Sequence, residues 1–122
     1  QYAHYSDYYK KRFAEDEADG PTFIRNVTAK AEPSAGYLAL ANVMTETANN
    51  IVLTTNFDKL VETSIFRDTA QIPWVIGTAG ELKYLDLNAD YPKILKVHGD
   101  MFLDMRNTTE EIQELDSGWK EL

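Results

Sequence analysis

Three short runs of apolar and β-branched residues set the limits on how this chain folds: Ile51-Val52-Leu53-Thr54-Thr55, Pro73-Trp74-Val75-Ile76 and Ile94-Leu95-Lys96-Val97. The first is nearly continuous rather than alternating, a pattern that predicts a strand buried on both faces, as in parallel sheets. Each run stops abruptly, at Asn56-Phe57-Asp58, at Gly77 and at His98-Gly99. Helical patterns lie between them. Tyr37, Leu40, Ala41, Met44 and Ala48 recur at helical spacing and predict an amphipathic helix over 34–48. Glu32-Pro33-Ser34 marks its start, because proline disfavours a helical residue before it and serine suits the cap. Asn49-Asn50 ends it. Leu60, Val61 and Ile65 mark the apolar face of another helix, and Thr108 with Glu111 stands at capping-box spacing for a last one. Helices alternating with short buried strands predict an α/β layered fold.

The segment before this core reads differently. Tyr2, Tyr5, Tyr9 and Phe13 are spaced by three or four, which puts four rings on one helical face, suited to a core or to docking. Glu15, Asp16, Glu17 and Asp19 form a solvated acidic cluster before Gly20-Pro21, which is expected to break the helix. A short helix fits residues 21–32. The organisation is then one domain over 1–122, with a helical N-terminal segment at 1–32 and a core at 33–115. A length of 122 residues is enough for one domain with a real core.

Charge and residue usage exclude several functions. With 20 acidic against 12 basic residues the formal charge is −8, which repels polyanions and argues against direct binding of nucleic acid. The absence of cysteine excludes disulfides and cysteine-ligated zinc, and it is compatible with the reducing cytoplasm. No apolar run approaches the ~20 residues of a membrane-spanning helix, so no membrane association is expected. The first residues, Gln1-Tyr2-Ala3-His4-Tyr5, form no secretory signal, and their lack of an initiator Met suggests a piece of a longer protein.

In open α/β sheets ligands bind outside the carboxyl ends of the strands. Two polar segments follow apolar strands directly: Thr54-Thr55-Asn56-Phe57-Asp58 and His98-Gly99-Asp100. Asn56 and Asp58 suit either of two roles, capping the helix through Leu60 and Val61 or hydrogen-bonding a ligand's amide and ribose groups. His98 is either a satisfied structural residue or a general base acting on a sugar hydroxyl. Gly99 allows close approach of a ligand or of backbone, and Asp100 either orients His98 or caps the turn.

Thr54-Thr55-Asn56-Phe57-Asp58-Lys59-Leu60-Val61-Glu62 resembles the TTNFDxLLE signature of bacterial SIR2-like domains. Lys96-Val97-His98-Gly99-Asp100 resembles their KLHGD-type segment, and Arg106-Asn107-Thr108-Thr109-Glu110-Glu111 is similar to the NTxEE continuation. Pro33-Ser34-Ala35-Gly36-Tyr37-Leu38-Ala39-Leu40-Ala41 is similar to the helix that precedes the motif in that family. The resemblance implies a Rossmann-like parallel sheet with flanking helices and a protein that consumes NAD at its nicotinamide–ribose bond. It implies that Thr54, Thr55, Asn56, Phe57, Asp58 and Gly99 bind NAD. Asn56 then contacts the nicotinamide ribose and positions water, Asp58 holds the carboxamide, and His98 is the general base. Thr55 stands where sirtuin deacylases have Gln. The missing cysteines separate the chain from zinc-bearing deacylases and imply the anti-phage defence branch, with no zinc and with NAD as substrate. A homo-oligomer and a fused effector domain are the partners this branch implies. The first strand with its glycine-rich phosphate loop and the last strand of the family pattern are missing, so activity is expected of an intact parent and not of this segment alone. Gly77-Thr78-Ala79-Gly80 comes after the Asn motif, in the wrong order for that loop, and reads as a turn. Protein deacylation, and a non-catalytic module that senses NAD or ADP-ribose or drives oligomerisation, are the competing readings.

Overall fold

A computed structural model describes residues 2–15 and 19–100. Four helices, α1 (Tyr2–Arg12), α2 (Asp19–Thr28), α3 (Ala35–Glu46) and α4 (Leu60–Thr69), accompany three strands, β1 (Ile51–Thr54), β2 (Trp74–Ile76) and β3 (Lys93–Lys96). A 3-10 helix over Ala79–Tyr84 joins β2 to β3. The strands form an all-parallel sheet in the order β1-β3-β2, so the last strand in sequence lies between the other two. Val52 pairs with Ile94, and Ile94 with Val75, placing three apolar side chains in one row across the sheet. That row meets Ala41 and Met44 of α3 and Val61 and Ile65 of α4, which with Ile94 make the buried core. Alternation along a strand puts Lys96 on the same face as Ile94.

The mixed α/β architecture follows the sequence pattern, with informative departures. β1 is not covered on both faces: Leu53 is 67% exposed and Ile51 37%. Only the central strand is buried along its whole length. The nearly continuous apolar run of β1 therefore did not mean burial on both faces: β1 is an edge strand among the described residues, packing only Val52 against the helices, and the central β3 carries a lysine at each end. Gly20-Pro21 does not separate helix from loop. Both residues lie in the first turn of α2, where the missing proline N–H leaves no intrahelical bond unmade. The helix predicted over 34–48 ends at Glu46. Beyond it the Thr47 hydroxyl donates to the Val43 carbonyl at 2.7 Å and accepts from the Asn49 amide at 3.0 Å, closing the helix with side-chain bonds. Ser34 precedes α3 in extended conformation, as a cap should, but its carbonyl and not its hydroxyl takes the Tyr37 and Leu38 amides.

Two of the rings on the aromatic stripe, Tyr9 and Phe13, find a partner within the chain, while Tyr5 stays exposed. Tyr9 and Phe13 lie 4.9 Å apart between centroids, and Phe13 meets Phe23 of α2 at 5.9 Å. Arg12 lies over both Phe13 and Phe23, adding a cation–π contact. This stack ties α1 to α2. The helix expected around Thr108 and Glu111, and the segment Arg106–Glu111, lie outside the described residues.

Candidate functional site

The parallel pairing of β1 with β3 puts Thr54 opposite Lys96, and the Val97 amide donates to the Thr54 carbonyl at 3.0 Å. Asn56 and His98 each stand two residues beyond this pair. The two polar segments consequently leave adjacent strands at the same edge of the sheet.

Local hydrogen bonds shape the first segment. The Thr54 hydroxyl accepts the Asn56 amide at 3.0 Å, and Asp58 Oδ1 accepts the Leu60 amide at 2.9 Å. Asp58 thus does cap α4, through one carboxylate oxygen. Thr55 and Asn56 are exposed while Phe57 and Asp58 are half-buried. With Ile24 and Thr28 of α2, Thr55, Asn56, Phe57 and Asp58 line a cleft of about 210 Å³. His98 and Gly99 are not among its lining residues; they follow the neighbouring strand, at the same edge of the sheet.

His98 is half-buried, and desolvation lowers its pKa below the usual 6.5 by disfavouring the imidazolium. The sign of the consequence is fixed. A depressed folded-state value means that the unfolded chain binds more protons between that value and 6.5, so His98 costs stability as pH falls through this window. Neutral imidazole, the form able to accept a proton, persists to lower pH than in an unperturbed histidine. Gly99 follows with φ of 89°, a conformation that glycine adopts without penalty. Gly99→Ala is expected to destabilise the protein by about 1–2 kcal/mol, read as a lower urea midpoint at unchanged slope.

The sequence reading missed the group that joins the two segments. Lys96 is 1% exposed, and its ammonium donates to the Asp58 carbonyl at 2.6 Å and to Asp100 Oδ2 at 2.7 Å. The Phe57 carbonyl is 3.5 Å away. Glu62 Oε1 of α4 lies 2.6 Å from the same nitrogen as a charge pair, while neither of the buried Glu62 carboxylate oxygens has a hydrogen-bond partner among the described residues. A lysine at an inward position of a buried strand requires such partners, and that was the available signal: Lys96 lies two residues after Ile94 on the same face. Asp100 is held from a second side. A Cβ on Gly77 would come within 3.0 Å of Asp100 Cβ, so the end of β2 and Asp100 approach as closely as glycine permits.

Gly77-Thr78-Ala79-Gly80 opens the 3-10 helix as a capped turn. The Gly77 and Thr78 amides both donate to Glu81 Oε2, each at 3.0 Å. A carboxylate of the chain itself thus takes the backbone donors that a phosphate would need.

No family model matches this chain, and no curated protein is detectably similar to it. Among the described residues no helix is long and apolar enough to cross a membrane.

Proposed function

We propose that this chain carries the ribose-reacting half of a SIR2-like, Rossmann-like NAD site and that the full-length protein hydrolyses NAD at the nicotinamide–ribose bond. The observation that supports this most is the register of Thr54 against Lys96, which starts the Asn56 and His98 segments side by side at one sheet edge. Ligands of parallel α/β sheets bind at that edge. The cleft lined by Thr55, Asn56, Phe57 and Asp58 is smaller than the ~300–1,000 Å³ of sites that enclose a whole drug-sized ligand. It fits the nicotinamide riboside end of NAD. The pyrophosphate requires donors from elsewhere, since Glu81 occupies those of Gly77 and Thr78.

The chemistry separates a neutral nicotinamide, which leaves with the bonding electron pair, from C1′ of the ribose, which water then attacks. The chain's residues divide the work. Asp58 commits one carboxylate oxygen to the Leu60 amide and keeps the other to accept from a carboxamide N–H. The Asn56 side chain is exposed at the cleft and, among the described residues, has no side-chain hydrogen bond, leaving its donors and acceptor for ribose and water. His98 takes a proton from the attacking water or from a ribose hydroxyl. Phe57 and Ile24 supply the apolar part of the cleft lining. Preorganised polar groups of this kind stabilise charge that develops in the transition state. Gly99 keeps the backbone close beside His98.

Incubating the full-length protein with NAD tests the reading. Free nicotinamide and ADP-ribose in equal amounts are expected without any peptide. Release only in the presence of an acyl-lysine peptide supports deacylation instead, and binding without turnover supports a sensing role. Because burial keeps His98 neutral, the acidic limb of kcat/KM is expected to have its midpoint below 6.5; a midpoint above that value excludes His98 as the base.

A further inference from the structure

Burying a lysine is costly, and an apolar side chain of similar length often serves stability as well or better. The ammonium of Lys96 has three donors, and its partners come from three separate places. One is the main chain of the Asn56–Asp58 segment, one is Asp100 beyond His98, and one is Glu62 on α4. Asp58 and Lys96 are far apart in sequence, so this contact does not follow from local folding. We propose that Lys96 is a positioning residue that locks the Asn56–Asp58 segment to the His98–Asp100 segment and so fixes the Asn56 amide relative to the His98 imidazole. This rests on the reading of the site given above only for its catalytic consequence; the lock itself is a statement about two segments and one ammonium.

The geometry separates this role from ordinary support. Strand pairing already holds Thr54 against Lys96, but it ends there. Beyond the pair, links between the segments include the Val97 amide on the Thr54 carbonyl and the Lys96 ammonium on the Phe57 and Asp58 carbonyls. Loss of the ammonium therefore loosens both segments together and leaves the opposite edge of the sheet paired. There the Trp74 amide donates to Pro92 and the Lys93 amide to Asn50, each at 2.7 Å.

Amide hydrogen exchange on the full-length protein, wild type against Lys96→Met, tests the proposal. A tenfold or greater rise in exchange is expected at both Leu60 and Gly99, with Trp74 and Lys93 changed less than twofold. The uncharged variant Lys96→Met/Glu62→Gln/Asp100→Asn, which leaves no unpaired buried charge, answers the question where the single variant unfolds, and the same pattern is expected of it. Nicotinamide release by the folded variant is expected to fall at least tenfold in kcat with KM changed less than threefold, because the contacting groups remain but are misplaced. Wild-type exchange at Leu60 and Gly99, loosening of only one of them, or a loss confined to KM overturns the proposal. If the wild-type protein releases no nicotinamide, the functional reading fails while the exchange pattern still decides whether Lys96 is the lock.

Discussion

His98→Ala in the full-length protein is expected to lower kcat/KM for nicotinamide release by about 10²- to 10⁴-fold, the usual contribution of a general base, while the folded structure persists. The imidazole is half-buried, and among the described residues no hydrogen bond holds it, so its removal breaks no network. Asn56→Ala is expected to cost about 10²- to 10³-fold, the scale of one polar group aimed at developing charge. Its side chain is exposed, so stability should change by no more than about 0.5 kcal/mol. Rates of nicotinamide release and urea unfolding curves on the same preparations separate lost chemistry from lost fold. Undiminished NAD consumption by both variants rejects the assignment.

Ile94→Ala is expected to destabilise the protein by about 2–5 kcal/mol. Ile94 is 0% exposed, stands between Val52 and Val75 in the sheet, and faces Met44 and Ile65. The cavity left there is bounded by elements on several sides and has little freedom to collapse. Leu53→Ala removes as many carbon atoms from the neighbouring strand, yet at 67% exposure it should cost no more than about 0.5 kcal/mol. Urea denaturation of the two variants measures the difference. Equal losses contradict a sheet whose β1 packs on one face only.

The same contrast shows how far the residues could be read before the fold. Period and composition located β1, β2, β3 and α3 to within a few residues, because apolar spacing reports what each element buries. Which strand lies in the middle was not legible. Ile51–Thr54 is more apolar than Lys93–Lys96, which carries two lysines, and only pairing decides that the second is central and the first open on one face. At the site, Asn56, Asp58 and His98 stood out because polar residues follow apolar strands directly. Whether Asp58 caps α4 or contacts a ligand could not be resolved locally, since both require the same carboxylate; the fold shows the cap. Lys96 stood in the third strand run and in the KLHGD-type segment with no role of its own; its importance comes from Asp58, Glu62 and Asp100, which only the folded chain brings to it. The wall formed by Ile24 and Thr28 was equally hidden, as only the folded chain brings α2 to the Thr55–Asp58 segment.

The proposed site requires two segments to grip one nucleotide at one rim of the sheet. Titrating a non-cleavable carbocyclic NAD analogue into isotopically labelled full-length protein observes both at once by NMR. The Asn56 side-chain amide and the His98 imidazole resonances are predicted to shift together and to yield a single common Kd. Saturation of the protein with either resonance unmoved contradicts it.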